Sequence, residues 1–177
     1  MKQYAQIIES INIGIVIIDK EFRVIEWNKW MAEYSNNTFE DVMGKNIYDI
    51  YPELDKNFFN RGCKSVFTFG NMVYLSAKLH NFLFPFTIQG SNSELFTHMQ
   101  QSCYLIPIRN IAGEVDQIMI NIHDETENAV LEKHLKELSY IDGLTGAYNR
   151  RAFERRLLEE YARHKRKGMP LGIIMFD

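Results

Sequence analysis

In the stretch "VDQIMINIHD", Val115 to Asp124, Ile118, Ile120 and Ile122 alternate with Met119, Asn121 and His123. A period of two belongs to a β-strand, and an aliphatic residue at each second place gives that strand one face to bury and another of different character. Such a strand needs a sheet to pair with and a layer of helices to cover its apolar face. The rest of the sequence supplies both. "GIVIID" and "FRVIEWN" are β-branched runs joined by the polar pair "KE", the pattern of an antiparallel hairpin. From Met72, "MVYLSAKL" and then "QQSCYLIPIRN" read as further strands, with a turn at Gly113 before the last one. Between the two strand groups lie short helices. Asn28, ahead of "KWMAEYS", is placed to accept hydrogen bonds from the first free amides of one of them. In "TFEDVMGKNIYDIYPEL" a helix starts at Thr38, breaks at Gly44, and a second piece ends near Pro52. Two strands, several helices and three strands predict an α+β domain with an antiparallel sheet.

The 177 residues, 46% hydrophobic and 24% charged, suit one globular domain or a domain plus a fragment. The apolar run Ile13 to Ile18 is far below the roughly 18 to 20 residues that cross a bilayer, and the first ten residues lack a secretory apolar core, so a cytoplasmic protein without a membrane partner is expected. Cys63 and Cys103 are forty positions apart without a CxxC partner, which argues against zinc and against a disulfide framework. They read as small buried hydrophobes. Charge is uneven: residues 149 to 167 hold 8 basic and 3 acidic side chains, against 12 and 19 in residues 1 to 148. A basic helix can engage nucleic acid, but charge runs on helices are usually solvated faces, so nucleic acid is not an expected partner.

The order of elements, with "GIVIIDKEFRVIEWN", "MGKNIYDIYPEL" and a closing "HDETE", resembles a PAS domain, assigned here to residues 1–126. The resemblance implies a sensor and dimerisation module whose sheet and helices enclose a small pocket; the ligand is unknown. The adduct-forming cysteine motif of flavin photosensors is absent, since "NRGCKSV" around Cys63 is a different pattern. His80 and His98 fall in or beside expected strands, not on a pocket helix where a haem ligand would sit. "NFLFPF", Asn81 to Phe86, is the most aromatic stretch; Pro85 disfavours a central strand there, and core packing is the plain reading beside a ligand lid or dimer contact.

Residues 127–141 read as a helical signalling linker. Asp124 followed by Glu127 offers a reciprocal cap, and Leu131, Leu135 and Leu138 form a stripe that can pair with a second copy or pack on the protein's own sheet.

Asp142, Leu144, Thr145, Gly146, Asn149, Arg150 and Arg151 match the DxLTxxxNRR entry segment of GGDEF domains, and the resemblance runs on through "FERRLLEEYARHKRKGMPLGIIMFD". Independently of that likeness, Asn149 can cap a helix that starts at Arg150, with Phe153, Leu157 and Tyr161 as its apolar stripe and Gly168 and Pro170 as its stop. "LGIIMF" has the continuous apolarity of a strand buried on both faces. The expected fold class is therefore α+β: a PAS-like antiparallel sheet with flanking helices, then a linker helix and the first helix and strand of an incomplete α/β GGDEF domain, residues 142–177. The resemblance implies a diguanylate cyclase, which condenses two GTP into cyclic di-GMP with Mg²⁺ and acts as a homodimer. It makes Asp177 a magnesium ligand, makes Asp142, Leu144, Thr145, Asn149, Arg150 and Arg151 linker and coupling residues in which an ion pair would set helix direction, and makes Arg163 a candidate for the inhibitory product site beside its plain reading as solvated helix surface. The GGDEF turn is not in this sequence, so no catalytic residue is assigned and these 177 residues are expected to be inactive. The alternative is a non-catalytic PAS signalling protein with a degenerate domain that binds GTP or cyclic di-GMP.

Overall fold

The computed structural model describes residues 2–52, 54, 56–88, 95–138, 140–168 and 170–174. Two compact units divide it, Met1–Ala129 and Val130–Asp177. The boundary expected between residues 126 and 127 falls three positions before this division.

The first unit is built on a five-stranded antiparallel sheet of order β2-β1-β5-β4-β3, from β1 (Gly14–Asp19), β2 (Val24–Trp27), β3 (Val73–Leu75), β4 (Gln101–Arg109) and β5 (Val115–Asp124). Register turns the sequence alternation into rows. Val16 faces Ile120, which faces Leu105, which faces Val73, and Gly14 faces Ile122, which faces Cys103 and then Leu75. Ile118, Ile120 and Ile122 are fully buried, whereas Met119, Asn121 and His123 are only partly covered. The alternation identified the inner face.

Helices cover that face. After α1 (Lys2–Ser10) and the β1–β2 hairpin come α2 (Lys29–Ser35), α3 (Phe39–Val42), α4 (Ile47–Ile50), α5 (Lys56–Phe69) and α6 (Ala77–His80). Thr38 caps α3 in a reciprocal box with Asp41, and Gly44, at φ 74°, makes the break that separates it from α4. Asn28 does more than cap. Its Oδ1 accepts from Met31 N–H (3.2 Å) and Ile15 N–H (3.0 Å), and its Nδ2 donates to Ile13 C=O (2.9 Å) and Ile8 C=O (3.2 Å). One fully buried amide thus ties α1, β1 and α2 together.

Three local expectations differ from the structure. The strand read as "MVYLSAKL" is only Val73–Leu75, because Ser76 Oγ accepts from Lys78 N–H and starts α6. His80 therefore ends a helix. Helix α7 (Thr126–Leu138) starts two residues after Asp124, which stays in β5 opposite Gln101 and accepts from Thr126 N–H (2.8 Å) in place of a reciprocal bond with Glu127. The third difference is an added element, α5, which has no counterpart among the expected helices. Phe59, Cys63 and Val66, spaced four and three apart, form its fully buried stripe.

In the second unit, α8 (Arg150–Lys167) starts where expected: Asn149 Oδ1 accepts from Ala152 N–H (3.0 Å), and Gly168, at φ 65°, closes the helix by donating to His164 C=O. The strand expected over the apolar hexamer is corrected for its described part. Leu171 to Ile174 form no strand, and Ile173 and Ile174 are exposed. A strand needs a paired neighbour for its backbone groups, and none of the described residues provides one. Residues 175–177, with the Asp177 assignment, lie outside the described residues.

Candidate functional site

The centre of the first unit is an aromatic cluster tied to the sheet by backbone bonds at its ends, from Gln101 N–H to Asn81 C=O and from Met99 N–H to Phe86 C=O, and by one side chain between them. Gln101 is 2% exposed at the start of β4. Its Oε1 accepts from Leu83 N–H (3.1 Å) and Phe84 N–H (2.9 Å), and its Nε2 donates to Phe84 C=O (2.7 Å). Residues 81–86 belong to no strand, and this amide satisfies the backbone groups midway between the two end bonds. Thus suspended, Phe84 meets Tyr51 edge-on (5.2 Å between centroids) and Trp27 edge-on (6.3 Å), while Phe86 lies near Trp30 (6.1 Å) and Tyr34 (6.3 Å). Leu83, Phe84 and Phe86 are buried, so the plain reading of "NFLFPF" as core is the one the structure has. The indole N–H of Trp27 is buried among these rings without a hydrogen-bond partner among the described residues.

Gln100, next in sequence to Gln101, points the other way. Its N–H donates to Thr126 Oγ1 (3.0 Å) and its C=O accepts from Glu125 N–H (2.7 Å), which fastens the first residues of α7 to the start of β4. A cleft of about 400 Å³ opens beside this joint, lined by Tyr34, Thr87, Met99, Asp124 and Thr126 among others. Burial, then the carboxylates of Asp124 and Glu33, raise the Tyr34 phenol above its ordinary pKa. Burial raises the Tyr51 phenol too, partly offset by the Ser35 and Asn37 side chains. Both thiols, Cys63 and Cys103, are pushed up to about 12 by burial, so they stay protonated near neutrality.

The residues singled out in the second unit form a compact turn ahead of α8. Ile141 bridges Tyr148, Asp142 N–H donates to Ala147 C=O, and Asn149 N–H donates to Tyr140 C=O. Asp142 closes the turn: its Oδ1 accepts from Leu144 N–H (3.2 Å), Thr145 N–H (3.0 Å) and Thr145 Oγ1–H (2.9 Å), and these bonds, the Thr145 hydroxyl first, lower its pKa. Among the described residues no ion pair joins Asp142 to Arg150 or Arg151; the three local donors all meet its Oδ1. Arg150 pairs with Glu154 (2.9 Å), Arg151 is exposed, and Arg163 pairs with Glu160 (2.7 Å) on the solvated side of α8. Leu144, at the tip, is fully exposed. No group of three or more His, Cys, Asp or Glu among the described residues could hold a metal.

Residues 2–65 match the family model described as the PAS fold. Among solved structures, the PAS domain of BvgS from Bordetella pertussis is similar over 78% of this chain and 95% of its own, at 20% identity and TM-score 0.55. A sensory box sensor histidine kinase from Vibrio cholerae matches over 70% of this chain and 90% of its own, at 17% identity and TM-score 0.52. An RNA-binding light-oxygen-voltage receptor matches over 92% of this chain but 38% of its own, at 16% identity and TM-score 0.57. No curated protein matches the sequence. The sheet order, the helices on one face and these likenesses make the first unit a PAS-fold domain. Among the described residues no helix is long and apolar enough to cross a membrane.

Proposed function

We propose that this chain is the sensory and coupling part of a PAS-regulated diguanylate cyclase, in which the PAS-fold unit sets the activity of a GGDEF domain entered through residues 142–177. The observation that carries the reading is the DxLTxxxNRR match. It is supported by the closed Asp142–Thr145 turn and the Asn149 cap, which give those residue types definite local work at the head of α8. Two GTP molecules must meet for cyclic di-GMP to form, so the active species is a homodimer. Leu131 and Leu135 leave an apolar stripe on α7, each more than half exposed, that a second copy would cover. The signal is read in the aromatic core or in the cleft beside Thr126, and the Gln101 and Gln100 contacts carry it toward α7.

The test is GTP turnover in Mg²⁺ by the full-length gene product that this reading implies. Cyclic di-GMP production supports it. GTP or cyclic di-GMP binding without turnover would favour the non-catalytic alternative, and neither binding nor turnover removes the cyclase reading. Leu131→Glu with Leu135→Glu should shift a dimer toward monomer in sedimentation velocity.

A further inference from the structure

Arg155 and Arg156 flank a cleft of about 360 Å³ between the 140–149 turn and α8, whose other walls are Tyr140, Ile141, Tyr148 and Ala152. Arg155 lies 4.0 Å over the Tyr140 ring and donates to its hydroxyl (3.1 Å), and Arg156 lies 5.7 Å from the centre of the Tyr148 ring. A guanidinium laid against an aromatic face keeps in-plane N–H edges free for a planar or tetrahedral anion.

The nearby acids neutralise this pair only in part. Asp142 is held by its own turn and Glu154 by Arg150, while Glu159 pairs with Arg155 Nε at 3.7 Å across a solvent-exposed helix face. No carboxylate among the described residues pairs with Arg156. Beside the two cations, Ile141 and Tyr148 offer exposed apolar surface. The volume is at the lower end for a small-molecule site.

We propose that this cleft binds a small organic phosphomonoester, with the phosphate between Arg155 and Arg156 and the organic part against Ile141 and Tyr148. The assignment stands apart from the cyclase reading, since it uses no residue given a role there. Calorimetric titration of the 177-residue protein with phenyl phosphate should give saturable one-to-one binding. Inorganic phosphate, which lacks the apolar part, should bind more weakly. Arg155→Gln and Arg156→Gln should each weaken phenyl phosphate at least about tenfold, the loss of one charge-assisted contact. Arg166→Gln, the same charge change in the last turn of α8, should leave affinity within about twofold, since distant exposed charges are largely screened. Affinity should rise between about pH 5 and pH 7 as the ligand loses its second proton. Absence of saturable binding at millimolar ligand overturns the proposal, and so does an Arg166→Gln loss equal to that of Arg156→Gln. Far-UV circular dichroism of the variants confirms that α8 persists.

Discussion

Replacing Gln101 by Leu keeps the side chain's bulk and removes all three hydrogen bonds to residues 83 and 84. Leu83 is 7% exposed and Phe84 fully buried, so two N–H groups lose their partner where water does not replace it, while Phe84 C=O keeps only the bond from Phe86 N–H (2.8 Å). Each stranded buried group costs about 1–3 kcal/mol, and partial relaxation of a segment outside the sheet puts the total near 3–5 kcal/mol. For a unit of this size, roughly 4 °C of Tm accompany each kcal/mol, which predicts a fall of about 12–20 °C in thermal unfolding followed by near-UV circular dichroism. Gln101→Glu separates hydrogen bonding from packing. Its carboxylate keeps the acceptor for both N–H groups but confronts Phe84 C=O until it is protonated. Burial raises that acid's folded pKa above the unfolded value, so the stability it contributes is complete below the unfolded pKa and lost as pH rises through the folded one. The deficit of Gln101→Glu against the native protein should therefore shrink as pH falls from 7 toward 5. A Gln101→Leu protein that melts within about 3 °C of the native one, or a Gln101→Glu deficit independent of pH, would refute the suspension of the aromatic segment from this side chain.

Asn28→Ala removes a helix cap and leaves buried groups of Ile15 and Ile13 unpaired, so it should cost about 3 kcal/mol or more in urea unfolding, beyond the roughly 1 kcal/mol of a simple cap. Cys63 and Cys103, with thiols raised to about 12, should resist alkylation at pH 8 in the native protein and react together on unfolding; rapid native labelling of either would contradict their burial. Asp142 has a lowered pKa, so its hold on the turn is present above the unfolded pKa and is lost as pH falls through the folded one; the Thr145 amide resonance should move in that acid window and not in Asp142→Asn.

Much of the fold could be read along the chain because it rests on local rules. The alternation in Val115–Asp124 set the buried face of the central strand. Asn28 and Asn149 were identifiable as caps because a short polar side chain ahead of a helix has one dominant use. Other features were not legible. The four hydrogen bonds of Asn28 join segments up to twenty residues apart, of which sequence shows only the cap. Helix α5 carries its signal in Phe59, Cys63 and Val66, a stripe at four and three residue spacing inside a segment without a capping box. Leu171 to Ile174 show the limit of apolarity as a guide: the residues suit a buried strand, yet a strand exists only with a neighbour to pair with.

By itself the sequence determined which segments are two-faced, where helices start and stop, and which residues at the head of α8 resemble a cyclase entry, because backbone propensity and capping act within a few residues. Only the tertiary structure decided what Gln100 and Gln101 do and that Asp142 bonds to its own turn in preference to an arginine. It alone set Arg155 and Arg156 beside two tyrosine rings. These outcomes depend on which segments approach one another in space, and burial sets the energy of each contact once they do.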